Sequence, residues 1–360
     1  MTAHPGAALD LSRPAPDLTA AICDIASVSG QEKVLADRVE AALTACGHLD
    51  VSRHGDTVVA RTVQGRAERV VVAGHLDTVP IADNLPTRRD GDVLWGRGTV
   101  DMKGGVAVAL RLAAHLAEPA RDVTYVFYDN EEVEAERNGL GRLARDRPDL
   151  LAADFAVLME PTSAEVEGGC NGTLRIRVST RGKAAHSARW WMGHNAIHAA
   201  SEVLDRLRRY EPAAVDVDGL VYREGLNAVA ISGGIAGNVI PDRCDVEVNF
   251  RFAPHRSEEA ALAHVRSVFE GFDVDLLDSS PAARPGLDRP AAAAFVAVIG
   301  GEVRAKQGWT DVARFTALGV PAVNYGPGDP LLAHADDERV TVTEIAHCED
   351  RMRTWLASSL

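Results

Sequence analysis

The segment that most restricts the fold of this chain is Val70-Val71-Val72-Ala73-Gly74-His75-Leu76-Asp77-Thr78-Val79-Pro80. A continuous apolar run of this length reads as a strand buried on both faces, the kind found in parallel sheets covered by helices. Gly74 and Pro80 close it. Side chains alternate along a strand, so His75 and Asp77 leave it on the same side. In open α/β sheets, ligands bind beyond the carboxyl ends of the strands. An imidazole and a carboxylate delivered there can hold a metal ion, which then needs further ligands from elsewhere in the chain.

Two later runs have the same form. Val123–Tyr128 leads into Asp129-Asn130-Glu131-Glu132, and Phe155–Met159 leads into Glu160-Pro161. Between the first two strands lies Gly96-Arg97-Gly98-Thr99-Val100-Asp101-Met102-Lys103-Gly104-Gly105, followed by an apolar helix to about Leu116. Its glycines permit close backbone approach around Asp101. It lacks the third glycine and the leading strand of a dinucleotide-binding fingerprint. Upstream, residues 17–46 read as a helix pair and Val51–Val63 as a hairpin. Apolar strands alternating with helices predict an α/β domain with a mixed, mostly parallel sheet.

The pattern then changes. Leu174–Thr180 alternates apolar and polar, as in a half-exposed strand. A helix at about 194–209, strands near 226–235 and 243–252, a helix near 257–270 and a strand near 272–277 follow. That order, β-α-β-β-α-β, is ferredoxin-like. We therefore expect residues 174–283 to be an inserted domain, and 1–173 with 284–360 to form the discontinuous catalytic domain. After the insertion come helices at about 290–299 and 311–318, a strand ending at Gly326, His334 in the following loop, and a terminal helix at 343–357.

Bulk properties narrow the partners. The formal net charge of -14 argues against nucleic acid or an anionic membrane, though a few local arginines can still bind a small anion. Five scattered cysteines form no C-x-x-C pair, which fits a reducing cytoplasm. No run approaches 18 apolar residues, the length a membrane span needs. Pro5 and Asp10 interrupt the N-terminal stretch, so no secretion signal is expected.

The candidate ligands are His75, Asp101, Glu132, Glu160 and His334. Five nitrogen and oxygen ligands exceed what one tetrahedral zinc needs. They suit a pair of ions roughly 3.5–4 Å apart bridged by one carboxylate. The flanking glycines nominate Asp101 as the bridge. Asp77 can orient the His75 imidazole. Glu131, beside a ligand but pointing elsewhere, is placed to act as a general base on water. The chemistry is hydrolysis of an amide or peptide bond.

The blocks Gly74–Pro80, Gly98–Gly105, Asp129–Glu132, Met159–Pro161 and Ala333-His334 with Asp337-Glu338 resemble, in order, the signature blocks of the co-catalytic di-zinc peptidase and deacylase family. That resemblance implies the same roles: five metal ligands, Asp101 bridging two ions, zinc with cobalt as a substitute, and Glu131 as base. It implies a cis peptide between Asp101 and Met102. It also implies that the insertion is a lid through which two chains form a homodimer. His186, in Gly182-Lys183-Ala184-Ala185-His186-Ser187-Ala188, would then stabilise the oxyanion in the partner's site.

Within the family, Ala82–Pro86, Glu136–Gly141, Gly237–Asp242, Asn249–Phe252 and Gly308–Val312 are most similar to the branch that removes succinate from N-succinyl-LL-diaminopimelate on the route to lysine. By that likeness Asn238, Arg251 and Thr310 contact substrate carboxylates, for which a guanidinium fork is suited. One departure is Cys170-Asn171, where some members carry a basic pair, so that contact is missing or comes from Arg175 or Arg189. Other N-acyl amino acid deacylases and dipeptide carboxypeptidases of the family are the sibling readings. A non-catalytic metal-stabilised scaffold is the reading from another class.

Overall fold

A computed structural model describes residues 8–358. Residues 1–7, with the Pro5 of the N-terminal reading, lie outside the described residues. The chain divides into two compact units. One comprises the chain up to Gly168, Gly286–Arg304 and Arg314 onward. The other comprises Gly169–Pro285 and Ala305–Ala313. The expected 174–283 insertion falls within that second unit; the pattern around Ala305–Ala313 had placed those residues with the catalytic domain.

The first unit is built on an eight-stranded sheet. Four neighbouring strands, Asp122–Tyr128, Arg69–His75, Phe155–Leu158 and Ala322–Asn324, run parallel. The hairpin Asp50–His54/Thr57–Arg61 adds antiparallel strands on one side, and Val166–Gly168 pairs antiparallel on the other. The four parallel strands end level with one another. His75 pairs with Tyr128, and Ala73 with Leu158. Every residue of Asp122–Tyr128 and of Phe155–Leu158 is buried. That explains why these strands read as unbroken apolar runs.

Helices cover both faces. Lys103–His115 packs along the sheet, and its residues from Lys103 to Leu110 are all buried. The terminal helix Val342–Ala357 brings Trp355, which is 1% exposed, edge-on to Phe295 at 4.8 Å and Phe155 at 5.9 Å. A small antiparallel sheet, Arg339–Thr341, Val93–Trp95 and Arg88–Asp90, was not anticipated from the sequence. Its strands are only three residues long. The Asp101–Met102 peptide is cis, as the family resemblance implied, and so is Leu85–Pro86.

The second unit carries a four-stranded antiparallel sheet. Its order is Gly225–Gly233, Arg243–Phe252, Gly172–Arg181, Asp273–Ser280. With helices Ala196–Arg209 and Glu258–Val268 this is the β-α-β-β-α-β arrangement expected from the alternation. One face buries Leu174, Ile176, Val178, Val246, Val248 and Phe250 under the two helices. The other keeps Arg175, Arg177, Glu247 and Asp278 as paired charges. A hairpin, Ala214–Val217 with Leu220–Arg223, was missed. Its signal was present: Asp218-Gly219, both at positive φ (54 and 85), is a two-residue hairpin turn of the kind Asp-Gly favours. Among the described residues no helix is long and apolar enough to cross a membrane.

The helix Lys103–His115 meets the sheet closely at Gly105. A Cβ there would lie 2.1 Å from the Met159 carbonyl oxygen and 2.7 Å from its Cβ. Alanine is the better helix former by roughly 1 kcal/mol. The Met159 backbone, one residue past the strand and tied by its N–H to the Ala73 carbonyl at 2.9 Å, has little room to retreat, however, and overpacking costs about 1–3 kcal/mol, so the clash wins. Gly105→Ala is expected to lower the thermal unfolding midpoint by several degrees. A midpoint equal to or above the parent's would contradict this packing.

Candidate metal centre

His75 and Asp77 leave the central strand, Glu131 and Glu132 the strand on one side of it, and Glu160 the strand on the other. His334 lies in the loop beyond Ala322–Asn324. Because these four parallel strands end level, their exits converge. Asp101 arrives from the loop before the helix Lys103–His115. All seven residues belong to the first unit.

Asp101 stands at the middle. Its Oδ1 is 3.2 Å from His75 Nε2, and its Oδ2 is 3.3 Å from His334 Nε2. His334 Nε2 also meets Glu132 Oε1 at 2.9 Å. Ligand atoms of His75, Asp101 and Glu160 lie within 4.8 Å of one another, and so do those of Asp101, Glu132 and His334. Asp101 belongs to both of these sets, each of which has one imidazole and one further carboxylate. His75, Glu131 and Glu132 also lie within that distance of one another.

The orienting contacts are as specific. His75 Nδ1 lies 3.0 Å from the Asp77 carbonyl and 3.5 Å from its carboxylate. A proton on Nδ1 leaves Nε2 as the lone-pair nitrogen, turned towards Asp101. Asp77 does more than the expected orientation of His75. Its Oδ1 accepts the Glu131 N–H at 3.0 Å and its Oδ2 the Glu132 N–H at 3.1 Å. Ser29 Oγ donates to the same carboxylate at 2.8 Å. Glu32, wholly buried, accepts the Gly30 and Asn130 N–H groups. The short segment between the first two helices therefore braces the loop that carries Glu131. Sequence reasoning gave no role to Ser29, Glu32, Arg97 or Glu338. Ser29 bonds the Asp77 side chain, Arg97 bonds Glu338 and backbone carbonyls, and Glu32 and Glu338 accept backbone N–H groups; such bonds leave no pattern in a sequence.

The electrostatics call for cations. Five carboxylates (Asp77, Asp101, Glu131, Glu132 and Glu160) gather around two imidazoles. Hydrogen bonds to the carboxylates of Asp101 and then Glu132 push the His334 pKa up to about 10. Burial opposes charge on His75, yet the carboxylates of Asp101 and Asp77 hold its pKa well above the ordinary value. Burial likewise opposes charge on Asp101, and hydrogen bonds from His334 and His75 outweigh it, holding the carboxyl below the usual range. In the metal-free protein, protons on the imidazoles do what cations would do. Two imidazoles and three carboxylates, without a thiolate, are a donor set for divalent metals of the zinc and cobalt type. The residues fit a pair of ions that shares Asp101.

The other predicted residues lie in the second unit. His186 pairs with Val239, and the Ser187 N–H donates to the Asn238 carbonyl, so His186 and Asn238 are neighbours. Arg251 pairs with Thr173 on the sheet and donates to Asn249 Oδ1 at 3.2 Å. Thr310 is buried, its carbonyl facing the Cys170 thiol at 3.7 Å. Asn171 is a strut: its amide donates to the carbonyls of Arg223 and Gln307. Arg175 is engaged by Asp278 at 2.6 Å.

An α/β sheet whose adjacent strand ends converge on one shared aspartate is the framework of metal-dependent hydrolases. The model of peptidase family M20/M25/M40 matches residues 71–358, and the chain belongs to that family. It is 56% identical over 351 residues to a Mycobacterium tuberculosis protein that bears the name succinyl-diaminopimelate desuccinylase DapE, with 97% of this chain and 99% of that one covered. It is 45% identical to the succinyl-diaminopimelate desuccinylase of Corynebacterium glutamicum, with 94% and 95% covered. Among solved structures, a Staphylococcus aureus tripeptidase superposes with a TM-score of 0.79 at 19% identity, covering 98% of this chain and 99% of that one. That likeness shows the fold.

Metals displace the protons that the imidazoles hold. Adding zinc to the metal-free protein at pH 7.5 should release about two protons per chain, one from each imidazole. Apparent affinity should rise as pH rises from 6 to 8. Calorimetry in buffers of different ionisation enthalpy measures this, and heats independent of the buffer would contradict it.

Proposed function

We propose that the protein hydrolyses N-succinyl-LL-2,6-diaminopimelate to LL-2,6-diaminopimelate and succinate, in the cytoplasm, on the route to diaminopimelate and lysine. The observation that carries this reading is near-full-length identity of 56% and 45% to proteins bearing that activity's name, joined to a complete set of ligands and a base. The cofactor is a pair of divalent ions, Zn2+ with Co2+ as a substitute. One ion would be held by His75, Asp101 and Glu160, the other by Asp101, Glu132 and His334. When bound, such a pair supplies Lewis acidity and brings the pKa of water from about 15.7 towards about 7.

The chain's own residues supply the proton transfers. Glu131 takes a proton from the attacking water and returns it to the amine that leaves. Asp77 holds the Glu131 and Glu132 N–H groups on its two oxygens, so base and ligand are set by one carboxylate. His186 is exposed, and its Nδ1 accepts the Ala188 N–H at 3.1 Å. The neutral ring therefore carries its proton on Nε2, as a donor to a developing oxyanion must. We assign that role to His186 in the site of a second chain. The homodimer forms through the edge strand Gly225–Gly233, where Val229 and Ile231 are 57% and 54% exposed. An exposed apolar edge strand is a template for pairing. Asn238, Arg251 and Thr310 receive the substrate carboxylates. With a net charge of -14, neither nucleic acid nor an anionic membrane is a partner.

The test is turnover. Metal-loaded protein is incubated with N-succinyl-LL-diaminopimelate, N-acetylornithine and a panel of dipeptides, and the released amine is quantified. Succinate release from the first substrate at the highest kcat/KM is expected. Turnover of acetylornithine or dipeptides alone would replace this reading with a sibling one. Glu131→Gln should lower kcat by roughly 10²–10⁴-fold with metal content unchanged. Activity equal to the parent's would instead favour a non-catalytic role.

A further inference from the structure

Arg97 is 3% exposed, and a guanidinium removed from water must find acceptors. It finds three, on two distant stretches of chain. Nε donates to the Pro80 carbonyl at 3.2 Å. Nη1 donates to Glu338 Oε2 at 2.8 Å and to the Ala335 carbonyl at 3.2 Å. Glu338 is 1% exposed. Its Oε1 accepts the N–H groups of Val100 at 2.9 Å and Asp101 at 3.2 Å.

Each of these stretches carries part of the metal centre. Pro80 closes the turn after His75 and Asp77. Ala335 follows His334. Asp101 is the shared carboxylate. The pair is brought together by the small antiparallel sheet: Arg339 lies opposite Trp95, and the Gly96 N–H donates to the Glu338 carbonyl at 3.0 Å.

The two halves of the centre depend on this pair unequally. His75 and Glu160 follow adjacent parallel strands, whose spacing is fixed by the pairing of Val72 with Val157 and Ala73 with Leu158. Glu132 is held by Asp77. His334, in contrast, sits in a loop, with its side chain 52% exposed and its backbone at φ 64. Hydrogen bonds within the loop are local turns, such as Ala335 N–H to the Leu332 carbonyl. The start of the loop is held at Gly326 and Gly328 by Thr162, Ser163, Ala164 and Glu344. Around His334 itself, the ties to other segments include, besides the Arg97–Glu338 pair, the Gly96 N–H and Asn84, whose side chain donates to the Asp336 carbonyl at 3.2 Å.

We propose that the buried Arg97–Glu338 pair is a positioning element that registers the His334 loop against Asp101, so that its loss weakens the Asp101–Glu132–His334 cation site more than the His75–Asp101–Glu160 site, whose other two ligands follow paired strands. This rests on the two-cation reading above. Arg97 and Glu338 act through backbone groups of the ligand-bearing loops.

Two mild substitutions test it. Arg97→Lys keeps the charge but cannot reach Pro80, Ala335 and Glu338 together. Glu338→Gln keeps the shape and removes the charge. Metal-free parent and variants are titrated with Co2+ by calorimetry, and their urea unfolding midpoints are measured without metal. The parent should bind two equivalents. Each variant should bind the two unequally, one within a few-fold of the parent's affinity and the other about 10–100-fold more weakly. Excess Co2+ should restore kcat, with KM unchanged throughout. Two equivalents at parental affinity in both variants would overturn the proposal. So would equal weakening of both sites alongside a lowered unfolding midpoint, which marks a merely structural role. A parent that binds one equivalent would refute the two-cation reading itself, and that result appears before any substitution is made.

Discussion

The metal centre hangs on one carboxylate reached from both sides. Asp101 lies 3.2 Å from one imidazole and 3.3 Å from the other, through different oxygens, with two more carboxylates completing the two sets. Such a cluster is self-repelling when empty of cations. At ε near 20, two unit charges 4 Å apart interact by about 4 kcal/mol, and no flexible loop would keep several carboxylates together against that. The stiffness comes from the parallel strands, which end level and are buried along their length. The apolar runs that make the sheet are thus the condition for the polar site at its edge.

Asp101 itself does not come from a strand. It enters by the crossover between the strands Arg69–His75 and Asp122–Tyr128. The helix that follows is pressed onto the sheet until Gly105 touches the Met159 backbone, one residue before Glu160. The helix therefore couples Asp101, the proposed bridge, to Glu160, a proposed terminal ligand, through packing. Hydrogen bonds add a second level of control. Asp77 sets the backbone of both Glu131 and Glu132, and Glu338 sets that of Asp101. A base and a ligand on consecutive residues must point to different atoms, and clamping both N–H groups with one carboxylate fixes how the chain divides them.

Much of this was legible in the residues. Three apolar runs, each ending in His-x-Asp, Glu-Glu or Glu-Pro, place their acidic and imidazole groups at one edge of a sheet because strand geometry leaves few alternatives. The glycines around Asp101 gave the bridge, and alternation gave the one-sided sheet of the second unit. What was not legible depends on register and backbone contacts. Which histidine joins which glutamate depends on contacts across the site, such as His334 Nε2 to Glu132 Oε1 at 2.9 Å, and no motif encodes that. Glu32 and Glu338 act by accepting main-chain N–H groups, Arg97 by bonding Glu338 and main-chain carbonyls, and Ser29 by a bond to Asp77 far away in sequence. The Asp218-Gly219 hairpin was readable and was overlooked, whereas the three-residue strands beside Asp101 are too short to show a period.

The central claim is that one aspartate is shared by two cations in a fixed pairing of ligands. Anomalous diffraction from crystals of the zinc-loaded protein tests it most directly. The account predicts two peaks roughly 3.5–4 Å apart on either side of the Asp101 carboxylate, one beside His75 and Glu160 and the other beside His334 and Glu132. A single peak at full loading, or two peaks of which one does not touch Asp101, would contradict it.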